Sequence, residues 1–198
     1  HDHSELLELC EISSVPVINA LTQKFHPCQL LADMLTYYEE KGSFENRTFS
    51  WVGDGCNMCN SYINASKILG FNLKIATPNG FEPDASVVNS SSDTVEFCDL
   101  PGKAVENSDL VTTDVWASMG DEEDHERRKM LFKGYQINQN IMDKANKDAI
   151  FLHCLPAHRD EEVTSEVIDG PSSRVWEQSH NRLYTTQALL EFLLEVNV

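Results

Sequence analysis

Five short apolar runs, each giving way to polar or small residues, constrain this chain more than any other feature. They occupy 48–52, 72–76, 94–98, 110–113 and the stretch from 150. All five read as strands, 94–98 the weakest, and the run from 150 reads as one buried on both faces. Stretches of helical pattern lie between them, at 57–69 after the first run and at 121–132 and 137–144 before the last. Repeated strand–helix units of this kind predict an α/β fold with a doubly wound, mainly parallel sheet. Ahead of the alternation, 5–11 reads as a short helix and 15–19 (Val-Pro-Val-Ile-Asn) as a strand. A helix over 27–40 follows, opened by Pro27, whose missing N–H costs nothing in a first turn. A last helix is expected over 186–196. Its Leu189, Leu190, Phe192, Leu193, Leu194 and Val196 form a stripe wide enough to pack between two bodies.

In an open parallel sheet, ligands bind outside the carboxyl ends of the strands. Residues at those ends are therefore the candidates for chemistry. The first strand runs into Gly53-Asp54-Gly55-Cys56-Asn57, and the fourth into Asp114 with Ser118 and Met119 beyond it. The last, Ile150-Phe151-Leu152, delivers His153, Cys154, Leu155 and Pro156: an imidazole, a thiol and a Pro-stiffened backbone. Amide and hydroxyl groups suit a carboxylate, and a carboxylate suits an ammonium, so the set fits a small zwitterion. His26 stands at the start of the 27–40 helix, where backbone N–H groups and the dipole disfavour an imidazolium. A neutral imidazole there can polarise a carbonyl, although a plain helix cap is the competing reading. Acid at 121–124 followed by Arg127, Arg128 and Lys129 reads as ordinary dipole matching, with Asp124 and Arg128 spaced i,i+4.

Composition removes several classes of function. A formal charge of −17 argues against nucleic acid or an anionic membrane as partner. No run approaches a membrane span, and the first residues carry no signal-peptide pattern, which points to the cytoplasm. The six cysteines lie in apolar or motif contexts, as reduced thiols do. Cys56-x-x-Cys59 has no second pair to complete a zinc site, so no metal is expected. Gly53-x-Gly55 begins like a dinucleotide fingerprint, but Met58 replaces its third glycine and Thr77 stands where a ribose would need an acid.

Three motifs then carry a resemblance. His26-Pro27-Cys28-Gln29, Asp114-Val115-Trp116-Ala117-Ser118-Met119-Gly120 and His153-Cys154-Leu155-Pro156 stand in the order and spacing of ornithine carbamoyltransferases. The chain is similar to that family over nearly its whole length. Ser118-Met119-Gly120 is the specific element, because carbamoyltransferases for aspartate or putrescine differ there. The resemblance implies a Rossmann-like ornithine-binding domain over 43–182. It also implies the end of a carbamoyl-phosphate-binding domain over 1–42, and a helix over 183–198 that returns to it. The implied reaction moves the carbamoyl group of carbamoyl phosphate to the δ-amine of L-ornithine, giving citrulline and phosphate in arginine metabolism. No cofactor or metal is implied, and the full-length assembly would be a trimer or a multiple of trimers.

Site roles follow from the same resemblance. His26, Gln29, Arg182 and the Leu155 carbonyl would hold carbamoyl phosphate. Asn57, Asp114, Ser118 and Met119 would bind the α-amino and α-carboxylate groups of ornithine, while Cys154 with Asp114 orients the δ-amine. His26, Cys154 and Arg182 are the expected catalytic residues. Cys56 stands where the family carries a polar residue. The family's phosphate-binding Ser-x-Arg-Thr-Arg segment does not occur in the sequence, so this chain alone is expected to be inactive. The alternatives are an amino-acid-binding module without catalysis and a related enzyme acting on a modified ornithine.

Overall fold

The computed structural model describes residues 2–117 and 122–194, with backbone alone at 122–124. Two helices come first, α1 (His3–Ile12) and α2 (Pro27–Lys41). The alternation follows as β1 (Thr48–Val52), α3 (Asn57–Leu69), β2 (Asn72–Ala76), α4 (Ala85–Asn89), β3 (Val95–Phe97), α5 (Pro101–Val105) and β4 (Leu110–Thr113). It closes with α6 (Glu122–Phe132), α7 (Gln139–Met142), β5 (Ile150–His153), α8 (Ser165–Ile168) and α9 (Val175–Leu193). The strands form one parallel sheet in the order β3-β2-β1-β4-β5, the doubly wound arrangement expected from the sequence.

Side chains alternate across this sheet with the period of two that a strand imposes. Phe49, Trp51, Leu73, Ile75, Leu110, Ile150 and Leu152 enter the core on the α2–α3 side. Val52, Ala76, Val111 and Phe151 enter a second core with Val105, Ile137, Val163 and Val175. Both faces are covered, which is why the runs read as continuously apolar. From β1 the chain winds one way to β2 and β3, then crosses to β4 and β5 on the other side. The loops after β1 and β4 therefore part at their carboxyl ends and leave a crevice there.

Four local expectations need correction. Residues 15–19 form no strand; Pro16 has no N–H for a ladder, and Val15 is 68% exposed. The expected helix over 137–144 shrinks to α7, because the Ile137 N–H bonds to the Glu162 carbonyl and Asn138 caps the helix. Short helices α4, α5 and α8 were not anticipated. The last helix begins at Val175 rather than 186 and runs unbroken through 182–183, lying along α2. Of its expected stripe, Leu190, Phe192 and Leu194 are exposed, and Val196 lies outside the described residues. No helix among the described residues is long and apolar enough to cross a membrane.

Candidate active site

Asp114, the first residue after β4, lies in the crevice between the β1 and β5 ends. Its Oδ1 accepts the Cys154 thiol at 3.1 Å and the Val115 N–H at 2.8 Å, while Oδ2 faces the Cys56 thiol at 3.5 Å. One carboxylate thus ties together residues from the ends of β1, β4 and β5. Burial, followed by the Asp114 charge, pushes the Cys154 thiol well above its ordinary pKa, and the same two causes act on Cys56. Both sulfurs are therefore protonated hydrogen-bond donors near neutral pH, and neither is an activated thiolate.

Asp54 also belongs to this end of the sheet. Its Oδ2 accepts Arg128 Nη1 at 2.7 Å, and the same nitrogen reaches the Trp116 carbonyl at 2.7 Å. The guanidinium lies over the Phe81 ring, 4.9 Å from its centroid. Burial raises the Asp54 pKa and Arg128 pulls it back. Arg128 thus fastens α6 to the β1–α3 loop, a role that the dipole-matching reading of its sequence missed. Asn57 opens α3 and donates through Nδ2 to the Thr22 carbonyl at 2.8 Å. That leaves Oδ1 and one N–H of its amide for a ligand. Ser118 and Met119, both expected in the site, lie outside the described residues.

His26 is the N-cap of α2 but makes no side-chain cap bond, so the plain-cap reading fails. Its Nδ1 is buried without a hydrogen-bond partner among the described residues. Burial and the nearby Arg182 guanidinium lower its pKa, outweighing the Ala20 backbone and Asp114. The imidazole is accordingly neutral at pH 7. Close by, Arg182 Nη1 donates to Gln29 Oε1 at 2.8 Å. A cavity of about 220 Å³ brings Gln29 and Arg182 together with Cys154 and Leu155. Gln178 and Ser179 from α9 also line it.

His153 was expected to present its imidazole at the sheet edge, and it does not. Its ring is fully buried, with Nε2 3.1 Å from Glu162 Oε1 and Nδ1 accepting the Leu155 N–H at 2.9 Å. An accepting Nδ1 makes this a neutral imidazole with its proton on Nε2. The bond holds Leu155 at φ +53°, a left-handed backbone that a branched side chain seldom adopts. Such strain persists only where the surroundings impose it, and here it fixes the direction of the Leu155 carbonyl.

Sequence reasoning also missed Asp33, Gln178 and the part played by Cys56. A buried Asp on an otherwise amphipathic helix was the available signal for the first. Cys56 and Cys59 make no metal pair, since Cys56 faces Asp114 and Cys59 is fully buried in the core. Elsewhere, His125, His158 and Glu161 cluster, but Lys129 already holds the other Glu161 oxygen at 2.7 Å. A larger apolar groove of about 630 Å³ lies between α2 and α3, lined by Leu30, Leu31, Met34, Tyr38 and Ile68 among others. Asn19, Ser61, Asn64 and Thr185 add polar groups to its lining, and none of its lining residues is charged.

Comparison with known proteins agrees with this geometry. Residues 45–193 match the aspartate/ornithine carbamoyltransferase family in its Asp/Orn binding domain, and residues 1–39 match the carbamoyl-P binding domain. The ornithine carbamoyltransferase of Hydrogenovibrio crunogenus is 54% identical over 192 residues, 97% of this chain and 64% of that protein. That of Methylococcus capsulatus is 51% identical over 194 residues, 98% of this chain and 65% of that protein. The chain therefore spans a little under two thirds of the length of these relatives. Among solved structures, ornithine carbamoyltransferase from Pyrococcus furiosus superposes with a TM-score of 0.93 at 41% identity, covering 100% of this chain and 66% of that one. The Thermus thermophilus enzyme gives 0.89 at 38% identity, covering 98% and 64%. With the fold, the strand-end groups and the matched segments in agreement, the chain belongs to the aspartate/ornithine carbamoyltransferase family.

Proposed function

We propose that this chain carries the ornithine site, and part of the carbamoyl-phosphate site, of an ornithine carbamoyltransferase. The observation that carries the reading is the Asp114 carboxylate at the switch point, held by the Cys154 thiol at 3.1 Å. In this reading Asp114 and Asn57, with Ser118 and Met119, bind the α-amino and α-carboxylate groups. Cys154 and Asp114 orient the δ-amine. His26, Gln29, Arg182 and the Leu155 carbonyl bind carbamoyl phosphate, and neutral His26 polarises the carbamoyl oxygen. Residues 1–42 and 183–198 belong with the carbamoyl-phosphate side, and the whole protein assembles as a trimer or a multiple of trimers.

The chemistry then needs little from the protein beyond placement and charge stabilisation. The neutral δ-NH2 attacks the carbamoyl carbon and forms a C–N bond. The tetrahedral intermediate collapses by breaking the bond from carbon to the phosphate oxygen. Phosphate leaves and the attacking nitrogen loses one proton. Of the four carbamoyl-phosphate groups, only Arg182 carries a fixed charge, and it is already bonded to Gln29. This chain alone should therefore bind ornithine but not form citrulline at an enzyme-like rate.

Calorimetric titration with L-ornithine, L-aspartate and putrescine tests the reading on this chain. Binding of ornithine with neither competitor supports it; preference for aspartate or putrescine, or no binding at all, removes it. A chain that binds ornithine, yet stays inactive when joined to a complete carbamoyl-phosphate-binding domain, would be a binding module.

The elevated Cys154 pKa yields a second expected result. The attacking group is the substrate amine, so a thioester would add a step without need. Cys154→Ser should keep measurable turnover in the complete enzyme, with KM for ornithine raised more than kcat is lowered. A carbamoyl-thioester adduct detected by mass spectrometry would contradict this.

A further inference from the structure

We propose that Asp33 is a positioning residue that sets the direction of the Gln29 and Gln178 amides, and through them holds Arg182 and the β5 end in register. Asp33 lies on α2 and is 1% exposed. Its Oδ1 accepts Gln29 Nε2 at 2.9 Å and Gln178 Nε2 at 2.5 Å, and Oδ2 accepts the Tyr62 hydroxyl at 2.7 Å. Three elements, α2, α3 and α9, converge on one carboxylate.

An amide side chain can present either its oxygen or its NH2 to a neighbour, whereas an ionised carboxylate only accepts. Asp33 therefore obliges both glutamines to turn their NH2 groups inward. Both oxygens must then point outward, and each meets a donor. Gln29 Oε1 accepts Arg182 Nη1 at 2.8 Å, and Gln178 Oε1 accepts the His153 backbone N–H at 3.1 Å. The first contact places the guanidinium on the proposed carbamoyl-phosphate side. The second anchors the residue just before Cys154. A single buried charge thus fixes groups that serve both substrates without touching either.

Burial raises the Asp33 pKa to about 6, while Tyr62, Gln29, Gln178 and the Arg182 charge counter it. The titratable groups facing it are Tyr62 from α3, Arg182 from α9 and Cys154 beyond β5. Tyr62 and Cys154 are both pushed well above their ordinary values, and an arginine keeps its charge, so none of the three titrates near pH 6. His26 lies beside Arg182 and also titrates below its ordinary value, so a transition shared by the two glutamine amides belongs to Asp33 only where Asp33→Asn abolishes it.

Two measurements test the assignment, and the first is independent of any activity. In NMR spectra of this chain, the side-chain NH2 signals of Gln29 and Gln178 should shift together through one titration near pH 6. That titration should vanish in Asp33→Asn. Amides that do not titrate, or that titrate equally in the variant, would overturn the assignment. The second measurement rests on the proposed carbamoyltransferase reading and uses the complete enzyme. Asp33→Asn offers both a donor and an acceptor, so it no longer dictates amide direction. It should raise KM for carbamoyl phosphate about tenfold and lower kcat. Tyr62→Phe removes a bond to the same carboxylate but touches neither glutamine, so it should lower Tm while leaving both KM values within about twofold. Equal kinetic effects in the two variants would reduce Asp33 to a structural residue. If Asp33→Asn does not fold, Gln178→Met serves in its place, and unaltered kinetics there would overturn the β5 half of the proposal. Absence of citrulline from the unmodified enzyme would count against the functional reading and leave the NMR result standing.

Discussion

Gly55→Ala should destabilise the chain by at least about 3 kcal/mol, the upper range for overpacked sites. A Cβ at this position would lie 2.3 Å from Pro83 N, 2.4 Å from the Glu82 carbonyl carbon and 2.6 Å from Phe81 O. All three are backbone atoms, so no rotamer change can relieve the contact. The Gly55 N–H also bonds to Phe81 O at 2.8 Å, and that bond must lengthen if the loop withdraws. Cys56 and Asn57 follow directly, so the loss of stability should be accompanied by a loss of ornithine affinity. Gly70 is the control: at φ +77° with no atom within 4 Å, its alanine variant meets only the left-handed backbone penalty, about 1 kcal/mol. Urea denaturation of the two variants checks the contrast. A Gly55→Ala chain within about 1 kcal/mol of the parent would mean that the loop yields far more easily than this packing implies.

Asp114→Asn should raise the ornithine dissociation constant at least tenfold. The carboxylate is partly buried and held by two thiols and a backbone N–H, so it cannot swing away to water. Facing an ammonium, it provides a charge-assisted hydrogen bond whose loss costs about 1.5–3 kcal/mol. The amide of the variant keeps one acceptor but turns an NH2 toward a sulfur or toward the substrate. Calorimetry with L-ornithine reads the change directly, and thermal unfolding of the same variant shows whether the site is still assembled. Unaltered affinity in a folded variant would take Asp114 out of the site.

Most of the sheet was legible because β1, β4 and β5 are buried on both faces, while β3 leaves Glu96 and Phe97 exposed. Phe49, Trp51, Ile75, Val111 and Phe151 fall in short apolar runs that no surface helix would carry. Asp114 and Cys154 were legible for the same reason, since each stands where such a run stops. Two kinds of feature escaped. The first two turns of α9 face α2 with polar groups: Gln178 bonds to Asp33, and Asn181 Nδ2 donates to Thr36 Oγ1 at 3.0 Å. Hydrophobic periodicity cannot register a buried polar seam, so the apolar pattern starts only at 186, eleven residues after α9 itself begins at 175. The other kind is pairing at long range. Cys56 meets Asp114 across 58 positions and Arg128 meets Asp54 across 74, and no local pattern links either pair. The strand at 15–19 failed for a nearer reason, Pro16, whose missing donor was visible but outweighed by its apolar neighbours.

The seam between α2 and α9 also bears on how the molecule comes into being. Asp33 and Gln178, like Thr36 and Asn181, are joined across 145 positions of sequence. Closing so long a loop delays the reward of the contact until the entropy of bringing its ends together has been met. On the ribosome the delay has a direction, because α2 emerges well before α9. Throughout synthesis the Asp33 carboxylate must stay hydrated, as a buried charge without its partners is costly. The sheet can therefore assemble ahead of this seam, and the arrival of α9 takes the charge out of water.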